Sequence, residues 1–327
     1  MKKEYILLSV TLLMLLAMAG CSKADQSENQ AQQAETTAAE LTTEAADVTE
    51  PVELTTEAAD VTENQVTVDT AEVDGIEMAY CTFGHGEKTF VILPGLSIKP
   101  VTASAEAVAA AYADFSQDYT VYLFDRRSNN PADYSIEDMA EDTVTVMKSL
   151  GLDQIDVFGA SQGGMIAEVI ALNHPDMVDK MILGSSCARI TDKNDSVISQ
   201  WLEYAEEKKA YELNESMIDA IYSEATLSAY RDSLLAGGND ISEEEMERFT
   251  IYDSAILEFD VYDRLGDLKA DTLVIGCEGD KVLGVEASQE IADQTGCELY
   301  IYGEEYGHGV YDEAPDYRSH LIDFLKK

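Results

Sequence analysis

From Val66 to the last residue, short apolar runs alternate with stretches of helical period, and this rhythm constrains the fold more than any other feature of the chain. "TVDTAEVDG" and "IEMAYCTFG" read as two strands, and "GHGEK" turns the chain into a third, "TFVILPG". An alanine-rich helix (102–114), the strand "YTVYLFD" and a helix from Ile136 to Leu150 follow. Next come "QIDVFG", a helix over 162–173 and "KMILGSS". After a long interruption, "TLVIGC", a helix over 286–293, "ELYIYG" and a closing helix over 311–326 complete the series. Strands that alternate with helices pair in parallel through right-handed crossovers. The expected fold is α/β: a mostly parallel eight-stranded sheet flanked by helices, with the opening hairpin adding antiparallel strands at one edge.

The interruption, about residues 187–266, holds helix-period segments such as "SVISQWLEYAEEKKAYELN" and "MIDAIYSEATLSAYRDSLL" and no strand signal. It is expected to form a helical cap on the domain. The insert concentrates Trp201, Tyr204, Tyr211, Tyr222, Tyr230, Phe249, Tyr252 and Phe259. Such aromatics serve either as the insert's own core or as the lining of a pocket facing the sheet, and spacing alone does not sort them.

Ahead of the domain the texture changes. Residues 22–66 are rich in Ala, Thr, Glu and Gln, and "ELTTEAADVTE" occurs at 40–50 and again at 53–63. Two polar copies bury no core, so residues 21–65 are expected to be a disordered acidic tether. Residues 1–20 combine a basic start (Lys2, Lys3) with an apolar run from Ile6 to Leu16, the pattern of an export signal. "AMAGC" then resembles a bacterial lipobox, with Met18 where leucine is more usual. The resemblance implies cleavage before Cys21, a lipid on its sulfur, and a domain (66–327) held outside the cell at its membrane. The formal charge of −43 repels phosphate backbones, so no nucleic-acid partner is expected. Cys81, Cys187, Cys277 and Cys297 lack close metal spacing, which argues against zinc. They permit disulfides, but buried free thiols fit their apolar contexts equally well.

The chemistry centres on "VFGASQGGM". Ser161 stands between a strand and a helix, flanked by Gly159 and Gly163, where the backbone must bend sharply and a side chain would clash. Such a bend presents Oγ at the carboxyl end of the sheet and aims the amide of Gln162, at a helix start, toward an oxyanion. A serine hydroxyl needs a base. Of the four histidines, His85, His174 and His320 occupy turn or helix contexts. His308, in "YGHGVY", lies in the loop between the last strand and last helix, at the same sheet edge as the serine. An acid must hold the imidazole. Asp280, in "GCEGDKVLG", is favoured over its neighbour Glu278 because it lies further past the strand end.

Together "VILPGLS", "VYLFDRRS", "VFGASQGGM", "LVIGCEGDKVLG" and "GHGVYDEAPDYRSHLIDFL" resemble the α/β-hydrolase fold family, in family order and spacing. The resemblance is to its cap-bearing members: esterases, cofactor-free haloperoxidase-like and proline-iminopeptidase-like enzymes. It implies a serine hydrolase with Ser161, Asp280 and His308 as triad and the backbone amides of Leu96 and Gln162 as oxyanion hole. Pro94 replaces the histidine common before Gly95, but the amide required belongs to Leu96. Asp125 and Arg126 are expected to brace their loop rather than touch substrate. The implied activity is hydrolysis of small to medium ester-type substrates through an acyl-enzyme, with no cofactor and no metal. Acyl transfer, or aminopeptidase action using Glu206, Glu207 or Glu243–Glu245 to hold an ammonium, would use the same fold. A non-catalytic surface binding lipoprotein is the alternative from another class.

Overall fold

Successive side chains of a strand point to opposite faces of its sheet, and here the central strands feed two separate cores. The computed structural model describes residues 65–327 apart from 237 and 239. The export signal, Cys21 and all but the last residue of the expected tether lie outside the described residues.

The strands are β1 (Thr67–Val73), β2 (Ile76–Gly84), β3 (Lys88–Leu93), β4 (Tyr119–Arg127), β5 (Ile155–Ala160), β6 (Val178–Gly184), β7 (Asp271–Cys277) and β8 (Glu298–Tyr302). They form one eight-stranded sheet in the order β1-β2-β4-β3-β5-β6-β7-β8. β1 and β2 pair antiparallel, as do β2 and β4, and all remaining pairs are parallel. The β1–β2 hairpin turns through Asp74 and Gly75, both left-handed with φ of 50° and 82°, which matches the twist of the flanking strands.

Helix α1 (Ala105–Ala111) covers one face, and α2 (Ile136–Ser149) and α3 (Gln162–Asn173) cover the other. Val91, Val157, Met181 and Val274 pack toward α2 and α3, whereas Phe90, Phe158, Ile182 and Ile275 pack toward α1. Between β6 and β7 lies the insert: α4 (Ser196–Glu206), α5 (Ala210–Ile221), α6 (Glu224–Ala236) and α7 (Glu243–Leu257). Its only bridge of strand type among the described residues joins Arg189 to Asp260. Trp201, Phe249, Tyr252 and Phe259 join the core beneath the insert, while Tyr211 is exposed, so its aromatics divide between roles. Helix α8 (Val285–Thr295) links β7 to β8, and α9 (Val310–Glu313) and α10 (Tyr317–Leu325) close the chain.

Three helices differ from expectation. The alanine-rich segment opens as a 3-10 turn, Val101–Ser104, because Asp125 takes the amides of Val101 and Thr102 at 3.0 and 3.1 Å. The helix-period segment 196–214 of the cap is divided between α4 and α5, where Lys208 adopts a φ of 55°. The closing helix splits into α9 and α10 at Pro315, which forces the preceding Ala314 to an extended ψ of 121°. Cys81, Cys187, Cys277 and Cys297 are all free thiols.

Among the described residues, two carboxyls are fully buried without any hydrogen-bond partner: Glu168 in α3 and Asp253 in α7. Burial pushes Glu168 well above its ordinary value of 4.5. The unfolded chain therefore ionises there before the folded one does, and stability falls as pH rises from that value toward the folded pKa. The Glu168→Gln variant, which cannot ionise, should gain on wild type by roughly 1 kcal/mol per pH unit within that window. Urea unfolding of both proteins between pH 4 and 8 measures the difference, and a constant difference across that range would refute it.

Candidate active site

Ser161 follows β5 with φ 51° and ψ −121°, a conformation that L-residues rarely hold. Small neighbours permit it. A Cβ on Gly163 would lie 2.0 Å from the Leu93 carbonyl oxygen, and one on Gly159 would lie 2.4 Å from that of Gly163. The bend is held from the far side too: the Ser161 amide donates to Gly184 O at 2.8 Å, and Ser186 Oγ donates to Ser161 O at 2.9 Å. Gln162 then begins α3, so its amide has no intrahelical acceptor.

His308 lies in the loop after β8 and is buried. Its Nδ1 is 2.9 Å from Asp280 Oδ2, in the loop after β7. The carboxylate can only accept, so Nδ1 carries the hydrogen and Nε2 is the basic nitrogen. Asp280 Oδ1 accepts from the amides of Val282 and Leu283 at 2.8 and 3.0 Å. Burial alone would raise the Asp280 carboxyl, but the His308 charge and hydrogen bond, with these two amides, hold it below its ordinary value. Glu278 is exposed and Asp280 is the partner. Because β5 to β8 are neighbours and parallel, Ser161, Asp280 and His308 emerge at one edge of the sheet. No hydrogen bond joins the Ser161 hydroxyl to His308. Such a contact commonly tightens only when substrate binds.

The glycines beside His308 serve a close approach to the cap. A Cβ on Gly307 would meet Ile221 O at 2.5 Å, and the Gly309 amide donates to the same oxygen at 2.9 Å. Glu313 secures this junction by accepting from the Gly307 amide at 2.7 Å and from the Ser223 amide at 2.9 Å.

Leu96 sits on the loop after β3, which packs directly on the serine: a Cβ on Gly95 would lie 3.3 Å from Ser161 Cβ. Arg126, buried, braces this loop by donating from Nη2 to Pro94 O at 2.7 Å and to Gln162 Oε1 at 2.8 Å. Gln162 Nε2 continues the chain of bonds to Tyr252 O, in the cap, at 2.7 Å. Asp125 holds the loop further on through Val101 and Thr102. The side-chain role of Gln162 and the tie through Glu313 had no visible sequence signal, since each joins segments distant along the chain. Asp125 and Arg126 brace loops, as the sequence leads one to expect.

A cavity of about 240 Å³ opens between the sheet edge and the cap. It reaches Gly95, Leu96 and Ala160, the neighbours of Ser161, though Ser161 and His308 are not among its lining residues. Its cap wall is formed by Met217, Ile218, Ile221 and Tyr222. Glu206, Glu207 and Glu243–Glu245 stand outside it. Among the described residues no group of three or more His, Cys, Asp or Glu is placed to hold a metal ion.

Residues 89–315 match the model of the alpha/beta hydrolase fold. RutD of Caulobacter segnis, a protein named as a carbamate hydrolase, is 26% identical over 278 residues, covering 79% of this chain and 98% of its own. MGS-M2, an alpha/beta hydrolase enzyme from a Medee basin deep-sea metagenome library, superposes with a TM-score of 0.71 at 19% identity, over 79% of this chain and 98% of its own. The enol-lactonase of Burkholderia xenovorans LB400 gives 0.68 at 19% identity, over 79% and 100%. Like the relatives it matches along most of its folded length, this chain belongs to the α/β-hydrolase fold family.

Proposed function

We propose that the protein is a serine hydrolase that cleaves small to medium ester-type substrates through an acyl-enzyme. The observation that carries this is the buried His308–Asp280 pair, 2.9 Å apart, at the same sheet edge as a serine in a strained left-handed turn. His308 Nε2 takes the Ser161 proton as Oγ attacks the carbonyl carbon. The tetrahedral oxyanion rests on the amides of Leu96 and Gln162, and His308 then protonates the leaving group. Water, deprotonated by His308, attacks the acyl-enzyme and frees Ser161. Asp280 keeps the imidazole in one tautomer and stabilises its cation. The mostly apolar cavity beside the serine supports an uncharged acyl or alcohol portion.

The segment before residue 66 supports a second element of the proposal, an exported domain lipid-anchored through Cys21 on an acidic tether. Labelling cells with a palmitate analogue reads this directly. Transfer of the label to the wild-type chain and not to Cys21→Ser is the expected result, and equal labelling would exclude the anchor.

Ser161→Ala should lose all labelling by a fluorophosphonate probe and hydrolysis of short p-nitrophenyl esters. Persistent labelling at full stoichiometry would remove Ser161 from the reaction. Asp280→Asn should lower kcat by about 10⁴ while KM changes little, since the buried imidazole loses its tautomer and its counter-charge. Steady-state kinetics on the same esters measure this, and a loss confined to KM would show that Asp280 acts only in binding.

A further inference from the structure

The cavity beside Ser161 is mostly apolar, and the part around Asp312 is chemically unfinished. Asp312, on α9, lines it and makes no side-chain hydrogen bond or ion pair among the described residues. Beside it, Tyr222 from the cap lines the cavity with its hydroxyl buried and unpartnered, and Ser104 Oγ lines it in the same state. Unsatisfied buried polar groups are uncommon in folded proteins, and two of them, Tyr222 and Ser104, lining one cavity with the half-buried carboxyl of Asp312 mark a place for a polar ligand group. Tyr112 and Tyr311 bring aromatic faces to the same cavity.

The sign of that ligand group follows from the charges present. Burial raises the Asp312 carboxyl to about 6, and Glu313 adds to this while Arg318, on α10, opposes it. At neutral pH Asp312 is therefore an anion in a weakly hydrated setting. Arg318 does not neutralise it: the guanidinium lies over the Tyr112 ring, 5.3 Å from its centroid, and forms no ion pair with Asp312. Lys99, the other charged residue lining the cavity, forms no ion pair with Asp312. A carboxylate, a tyrosine hydroxyl and aromatic faces around an apolar space form a receptor for a small organic cation.

We propose that the Asp312 end of the cavity binds a primary ammonium group carried by the substrate, with Asp312 as counter-ion, Tyr222 and Ser104 as hydrogen-bond acceptors, and the tyrosine rings around it. The inference rests on the serine-hydrolase reading above and adds to it a substrate class, amine-bearing esters. Asp312 is here a specificity-determining residue.

The experiment compares kcat/KM for paired esters with and without the amine. One pair is alanine benzyl ester against benzyl propanoate, the other 2-aminoethyl butanoate against propyl butanoate. Wild type should favour the amine-bearing member of at least one pair by roughly ten- to hundredfold, the range of a charge-assisted contact. In Asp312→Asn that ratio should fall to near one. Because the ratio is taken within each protein, partial loss of folded variant does not alter it. If the variant does not fold, wild type alone decides through inhibition of benzyl propanoate hydrolysis by butylammonium relative to butan-1-ol. Butylammonium should inhibit more strongly above about pH 6, and its advantage should fade below that pH as Asp312 gains a proton. Hydrolysis of the neutral esters with no amine preference, or a preference that survives in Asp312→Asn, would overturn the ammonium site and leave the hydrolase reading standing. Hydrolysis of none of the esters would instead strike the hydrolase reading itself.

Discussion

The rest of the site depends on one backbone conformation, the left-handed bend at Ser161. A non-glycine residue in such a region costs about 1–3 kcal/mol and persists only when its surroundings over-determine it. Here they do. The amide and carbonyl of Ser161 are bonded to β6 and the segment after it, and glycines stand where the turn crosses the neighbouring backbone. An added Cβ at residue 163 would penetrate the Leu93 carbonyl, so the loop after β3 can lie against the serine only because Gly163 has no side chain. That close approach brings Leu96 and Gln162 to the same edge. Relaxing the bend would break the contact between the start of α3 and the loop that carries Leu96.

Around the bend runs a buried polar framework. Arg126 spans the loop after β3 and the start of α3, and the Gln162 side chain carries the connection on to the cap. A buried guanidinium is costly unless its protons find acceptors; Nη2 finds two, a main-chain carbonyl and an amide oxygen supplied by the two segments it joins, while Nε has none. The same residues therefore bear on both stability and preorganisation.

The cap is attached on the opposite side through Ile221 and Ser223, which contact the glycines around His308 and the Glu313 carboxylate. The wall of the cavity and the placement of the histidine loop are thus joined mechanically. Movement of α5 would be felt at His308.

Much of this was legible in the residues. Apolar runs of strand length separated by helical periods specify a parallel α/β sheet because burial on both faces demands them. A serine between small residues at a strand–helix junction, with an acid and a histidine in later loops, follows from local backbone requirements and chain order. Pro315, which splits the closing helix, obeys an equally local rule. The cavity belongs to the tertiary structure alone. Leu96, Tyr222 and Asp312 come from three segments far apart in the chain, and nothing in their spacing announces that they share one space. Periodicity records which face of an element is buried, but the partner of that face, and the polar groups left unpaired where faces meet, are decided only when the elements pack.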